Sequence, residues 1–164
     1  MQIMECQERR KKEKMVKVLF VCHGNICRSP MAEFILKDKV KKLNIENNFF
    51  IDSSAVSQEE IGNNIYPKAF KTLERHGIYN SVHHAKQITK DEYNYFDFIF
   101  VMDHSNLRYL DYLGIKDIDN KIRLLGSYLD TIKDIEDPWY SGNFEKVFQE
   151  ISTAIENFLD SILN

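Results

Sequence analysis

Cys22 and Arg28 stand six positions apart in "VCHGNICRSP", residues 21–30, with Gly24 and Asn25 between them and Ser29-Pro30 after them. The apolar run Val18-Leu19-Phe20 leads straight into this segment. An ionised thiol is a nucleophile, and a guanidinium grips two oxygens of a phosphate in its planar fork. A buried strand that ends in a Gly-Asn loop and passes into a helix gives both groups a setting. The helix N-terminus offers unpaired N–H groups and the positive end of the helix dipole, so the loop can wind its amides around an anion. Gly24 and Asn25 are residue types that accept the left-handed backbone such a nest needs. Cys22 opens the loop and Arg28 closes it, so both can face one anion. Positive surroundings favour thiolate over thiol, and the Ser29 hydroxyl is near enough in sequence to donate to that sulfur. The expected chemistry is nucleophilic attack on a phosphoryl group. A buried Cys22 with Arg28 on the surface is the alternative, and it would strand the backbone groups of a very polar loop.

Attack on phosphorus needs the leaving oxygen protonated, so an acid must stand opposite. The stretch "LDTIKDIEDPWYSG" offers Asp130, Asp134, Glu136 and Asp137. Chemistry favours Asp137, because Pro138 stiffens its turn while Trp139 and Tyr140 can wall off water and keep a carboxyl protonated. A solvated acidic turn is the competing reading. Asp103, in "VMDHSNL", is placed either as a functional carboxylate or as an ordinary helix cap.

The elements that must position these groups alternate along the chain. "MVKVLFV" reads as a buried strand. "SPMAEFILKDKVKKL" follows as a helix with Ser29 as N-cap, Pro30 at its first position and an apolar stripe of Ala32, Leu36, Val40 and Leu43. Strand "NFFIDSSAV", helix "YPKAFKTLERHG", a helical turn "ITKDEYNY" capped by Thr89, strand "FDFIFVMD", helix "SNLRYLDYLG", short strand "KIRLLG" and the long helix "NFEKVFQEISTAIENFLDSIL" complete the order. Strands separated by helices imply an α/β fold with a parallel sheet covered on both faces. Residues 15–164 form one domain, and residues 1–14 are a loose polar extension in which Cys6 is a bystander.

Composition narrows the classes. With 43% hydrophobic and 29% charged residues, the 164-residue chain is an ordinary globular protein with one core. A net charge of -3 gives no basis for broad nucleic-acid binding. No stretch is apolar enough for stable membrane insertion, and the N-terminus lacks the core of a signal peptide, so a cytoplasmic location is expected. Three cysteines are too few for a disulfide scaffold.

"VLFVCHGNICRSPMAE" resembles the signature of the low-molecular-weight protein tyrosine phosphatases. The likeness continues through "DSSAVS", "HGI", "HHAKQITKDE", "FDFIFVMDHSNL", "LLGSY" and "DPWY", and spans residue 16 to the C-terminal helix. It implies a four-stranded parallel sheet with flanking helices and cofactor-free, metal-free hydrolysis of phosphotyrosine proteins or small aryl phosphates, by a monomer or weak homodimer. By this resemblance Cys22 is the nucleophile, Arg28 holds the phosphoryl oxygens and Asp137 is the general acid. His23, Gly24, Asn25, Ile26, Cys27 and Ser29 surround the substrate, with Glu59, Trp139 and Tyr140 on the walls. Asn25, Ser53 and His83 form the hydrogen-bonded set that props the loop open, although the neighbouring His84 leaves an exposed turn as the plainer reading of His83. The family also supports a reversible Cys22–Cys27 disulfide that protects the nucleophile.

Two positions depart from the family. His23 replaces an apolar residue. Glu59, with Glu60 beside it, stands where the family places an aromatic that stacks the substrate ring. A carboxylate there predicts a weakened preference for acidic peptides and tolerance of small aryl phosphates. Three other readings compete with it. A thiol-coupled arsenate reductase wants further cysteines, and none follows Cys27. A zinc or redox module on Cys22 and Cys27 would need the His83-His84 pair as its other ligands. A phosphate-binding protein without turnover leaves the nucleophile, arginine and acid without purpose.

Overall fold

Four parallel strands alternate with helices in the structure, a computed structural model that describes residues 15–79 and 81–164. The extension expected over residues 1–14, with Cys6, lies outside the described residues. Strand β1 (Val16–Cys22) pairs along its whole length with β2 (Phe49–Ala55), Val16 opposite Phe49 and Cys22 opposite Ala55. On its other side it pairs with β3 (Phe98–Val101), which in turn pairs with β4 (Ile122–Leu124). The sheet order is β2-β1-β3-β4. Two central strands therefore end side by side, and the loops leaving their carboxyl ends meet, which is where open parallel sheets bind ligands.

Both faces of β1 are covered, which explains its unbroken apolar run. Successive side chains point to opposite faces. Val18 and Phe20 join a core built with α1 (Arg28–Lys42), α2 (Pro67–Arg75) and α6 (Phe144–Leu163), including Met31, Ile35, Leu73, Ile151 and Phe158. Leu19 and Val21 pack on the other face with Tyr93 from α3 (Lys90–Tyr95), Leu110 from α4 (His104–Tyr112), and Phe96 and Ile115. Thr89 caps α3 as expected, accepting the Glu92 N–H at 3.1 Å.

The helix after the loop differs from expectation at both ends. Cys27, not Ser29, is the N-cap, and Pro30 lies inside the first turn. The Ser29 hydroxyl is turned toward the Cys22 sulfur instead, and a first-turn proline costs no helical hydrogen bond. At the other end α1 stops at Lys42, so Ala32, Leu36 and Val40 are buried while Leu43 is exposed. The acidic turn expected near Asp137 winds into one helical turn, α5 (Pro138–Ser141), closed by Gly142 in the left-handed region at φ 73°. Among the described residues, no helix is long and apolar enough to cross a membrane.

Candidate active site

Cys22 is the last residue of β1, and the residue is almost fully buried. The Asn25 N–H points at Sγ from 3.3 Å and the Ser29 N–H from 3.4 Å, with Ser29 Oγ at 3.0 Å. The loop turns this tightly because Asn25 adopts φ 59°, as its residue type allows. Gly24 serves a different purpose from the one expected. It is not left-handed; a Cβ there would lie 3.3 Å from Glu60 Cγ, so the glycine admits the neighbouring loop.

The prop behind the loop is assembled. Asn25 Nδ2 donates to Ser29 Oγ at 2.8 Å and to Ser53 Oγ at 2.9 Å, while its Oδ1 accepts the Lys86 N–H at 3.2 Å. His83 Nε2 donates to the Asn25 carbonyl at 2.7 Å. His83 is buried and His84 exposed, so the exposed-turn reading of His83 is excluded. Asn25 and Ser29, expected to face the substrate, are completely buried behind the loop instead.

Arg28 is 2% exposed, and a guanidinium buried that deeply needs compensation. Its NH1 donates to Asp103 Oδ2 at 2.6 Å and to the Ile135 carbonyl at 2.8 Å, and NH2 lies 3.6 Å from Asp137 Oδ2. Burial alone would lower its pKa; negative charge on Cys22, with the bond to Asp103 and the charge of Asp137, outweighs that and shifts it upward. Asp103 caps α4 in a capping box with Asn106 and also holds Arg28. Cys27 is the opposite case. Burial first, then the charges of Cys22 and Asp137, push its thiol pKa up, so it stays protonated beside Cys22.

A cavity of about 160 Å³ opens above the loop. Cys22, His23, Gly24, Ile26, Cys27 and Arg28 line it together with Glu59 and Glu60 from one loop and Asp137, Trp139 and Tyr140 from another. Asp137 is the carboxylate of its loop that reaches this space. Asp134 pairs with His104 Nδ1 at 2.7 Å and Glu136 with Lys146 at 2.5 Å, and Asp130 is exposed. Asp137 also caps α5, accepting the Trp139 N–H at 3.0 Å. The dry wall expected around it is not there: Trp139 is 52% and Tyr140 86% exposed. The turn of α5 carries Trp139 against Tyr66, ring centroids 4.8 Å apart, and Tyr66 N–H donates to the Ile26 carbonyl at 2.8 Å. His23 sits at the rim, its Nε2 3.1 Å from Glu59 Oε2 and its ring edge-on to Tyr109.

Sequence reasoning missed four participants. Glu33, Lys86 and the Ile135 carbonyl hold the loop or Arg28, and Glu60 lines the cavity. Glu33 reads in sequence as half of an ordinary i,i+4 pair with Lys37, and a backbone carbonyl carries no sequence signal at all. Among the described residues, no group of three or more His, Cys, Asp or Glu side chains is placed to hold a metal ion.

Comparisons with known proteins point to one family. The family model described as low molecular weight phosphotyrosine protein phosphatase matches residues 17–164. The pig low molecular weight phosphotyrosine protein phosphatase is 46% identical over 151 residues, covering 88% of this chain and 94% of the relative. The low molecular weight protein-tyrosine-phosphatase YfkJ of Bacillus subtilis is 40% identical over 150 residues, covering 90% and 96%. The crystal structure of YfkJ superposes with a TM-score of 0.85, covering 91% of this chain and 95% of that one. Thiol, guanidinium and carboxylate meeting over one anion-shaped loop, on a chain matched nearly end to end, lead to one conclusion: this protein belongs to the low molecular weight phosphotyrosine protein phosphatase family.

Proposed function

We propose that this protein hydrolyses phosphotyrosine in proteins, and small aryl phosphates, through a cysteinyl-phosphate intermediate. One observation carries the reading: Cys22, Arg28 and Asp137 line a single small cavity at the mouth of an uncapped helix. The phosphoryl oxygens take the loop amides and the free edge of the Arg28 guanidinium. Cys22 Sγ attacks phosphorus in line as the phosphorus–aryl oxygen bond breaks, and Asp137 gives its proton to the departing phenolate. Asp137, now a carboxylate, removes a proton from a water whose oxygen attacks phosphorus. The sulfur–phosphorus bond breaks, returning the thiolate and inorganic phosphate. Positioning and charge stabilisation supply most of the acceleration, and the acid contributes about a hundred- to ten-thousandfold.

The open wall fits this sequence of events. In the free protein Asp137 leans toward Arg28. A phosphoryl dianion on Arg28 takes over that charge pairing, and the aryl ring fills the space beside Trp139. The two steps use no metal.

Oxidation is handled by the second thiol of the loop. A peroxide converts Cys22 to a sulfenic acid; the Cys27 thiol then attacks that sulfur, a disulfide forms and water leaves. Peroxide-treated wild type should recover its activity in a thiol reductant, and permanent loss contradicts this protective role.

The test of the main reading is hydrolysis of an aryl phosphate in excess chelator. Wild type turns over, Cys22→Ser is inactive, and Asp137→Ala loses about a hundred- to ten-thousandfold in kcat. A wild type that is silent in chelator, or a Cys22→Ser variant that retains turnover, overturns it. Trp139, the only tryptophan, reports phosphate or vanadate binding by its fluorescence.

A further inference from the structure

Tyr66 is the residue before Pro67 at the start of α2, with φ -60° and ψ 135°. That extended backbone is what a following proline imposes. The Tyr66 N–H donates to the Ile26 carbonyl at 2.8 Å, and its carbonyl accepts the Phe70 N–H at 3.0 Å. Its backbone is thus tied to the loop that carries Cys22 and to a helix whose Ala69, Thr72 and Leu73 are buried. The ring meets the other loop of the site. Its centroid is 4.8 Å from that of Trp139 and 5.9 Å from that of Phe144, the buried first residue of α6. Residues 139–143, between buried Pro138 and buried Phe144, are all exposed. A single helical turn does not hold its own place. This one leans on the body of the protein where Trp139 meets Tyr66, and the Trp139 N–H in turn donates to Asp137 Oδ1 at 3.0 Å.

We propose that Tyr66 is a positioning residue whose ring seats Trp139 and so holds Asp137 at the leaving oxygen of the substrate. Tyr66 is not among the residues that line the cavity, and it acts through Trp139. With its backbone on one loop and its ring on the other, it sets the spacing between nucleophile and acid. A carboxyl serves as general acid only within hydrogen-bond reach, and a misplacement of about 1 Å costs up to about a hundredfold. How much the acid matters depends on the leaving group. Phenol leaves as a basic phenolate and needs the proton, whereas a nitrophenol is acidic enough to depart as an anion. A misplaced acid is therefore felt on the first and barely on the second. General damage to the fold or to phosphate binding is felt on both.

This inference rests on the reading of Asp137 as the acid, and the experiment separates the two. The ratio kcat/KM, which reports the step that releases the phenol, is measured on phenyl phosphate and on nitrophenyl phosphate. Wild type is compared with Tyr66→Ala, Tyr66→Phe, Asp137→Ala and the double variant of Tyr66→Ala with Asp137→Ala. Tyr66→Ala is expected to lose about tenfold on phenyl phosphate and less than about threefold on the nitrophenyl ester. Inhibition by inorganic phosphate should change by less than about twofold, because the backbone bond from position 66 to Ile26 survives. Tyr66→Phe keeps the ring and restores both rates. In the Asp137→Ala background, loss of the ring adds less than about twofold, since no acid is left to place. The emission of Trp139, the only tryptophan, shifts to the red in Tyr66→Ala as its contact opens. Equal falls on the two esters, a fall that persists without Asp137, or unaltered Trp139 emission overturns the inference. Should Tyr66→Ala fail to fold, Tyr66→Leu keeps apolar bulk beside Phe144 but offers Trp139 no flat face. About threefold is then lost on phenyl phosphate alone, and equal falls on both esters again overturn the inference. Wild type that turns over neither ester, or an Asp137→Ala variant as fast as wild type on phenyl phosphate, contradicts the catalytic reading itself.

Discussion

Asp103 Oδ2 receives Arg28 NH1 at 2.6 Å, while Oδ1 of the same carboxylate accepts the Asn106 N–H at 2.9 Å and starts α4. The end of β3 thus holds the cation that closes the loop after β1. Asp103→Asn keeps an acceptor for the cap but withdraws the charge facing a buried guanidinium. Removing a partner from a fully buried pair costs about 3–5 kcal/mol; Asp103 is partly exposed and asparagine still accepts a bond, so about 2 kcal/mol is expected, with at least a tenfold loss in kcat/KM. Asp103→Ala loses the cap as well, about 1 kcal/mol more by urea unfolding. Equal stability of the two variants contradicts the double role.

Gly126 is a steric keystone for the loop that leads to Asp137. A Cβ at this position would sit 1.8 Å from the Lys133 carbonyl oxygen, a backbone atom that can yield only if the chain moves. Two residues on, Ile135 donates its N–H to the Met102 carbonyl at 2.8 Å and offers its own carbonyl to Arg28. Gly126→Ala should therefore cost about 2 kcal/mol or more and lower kcat together with stability. Unchanged thermal unfolding of Gly126→Ala would show that the chain accommodates the methyl freely.

On the proposed reading, Glu59 selects against acidic neighbours of a phosphotyrosine. The carboxylate is on the cavity wall, partnered by His23 at the rim, with Glu60 next to it. Exposed charges of this kind act over about 8–10 Å and are screened by salt. Glu59→Trp should raise kcat/KM on acidic phosphopeptides relative to neutral ones, and the gain should shrink as ionic strength rises. If the relative rates on the two peptides do not move, the wall does not select on charge.

Cys27 gives a signature in pH. Its thiol is held protonated in the fold, chiefly by burial, whereas the unfolded chain ionises it near pH 9. Above that pH the folded state binds more protons than the unfolded one, so stability present at neutral pH is lost as pH rises. The limiting slope for one such group is about 1.4 kcal/mol per pH unit. Urea unfolding between pH 8 and about pH 10 should fall more steeply for wild type than for Cys27→Ala. Parallel curves would mean that Cys27 ionises as readily in the fold as outside it.

Much of the machinery was legible because it is local. Strand, Gly-Asn loop and helix follow one another within residues 16–42, and the Asp-Pro pair announces its own turn. The chain could not announce what depends on distant strands meeting. Arg28 and Asp103 are brought together only by the pairing of β1 with β3. Ser53 reaches Asn25 only because β2 runs beside β1, Phe20 opposite Ser53. Ser29 reads as a cap because its residue type suits both jobs, and in the fold the buried sulfur takes its hydroxyl. The enclosed acid was expected from the chemistry of Trp139 and Tyr140, but where Trp139 rests is decided by Tyr66, over seventy positions earlier.

The proposed mechanism requires a covalent bond from phosphorus to one sulfur. Wild type mixed with excess aryl phosphate in chelator, quenched within a single turnover and digested, should carry a phosphoryl group on the peptide that contains Cys22 and on no other, with an equimolar burst of phenol. A burst without that adduct, or a phosphoryl group on a different residue, would contradict the mechanism at its first step.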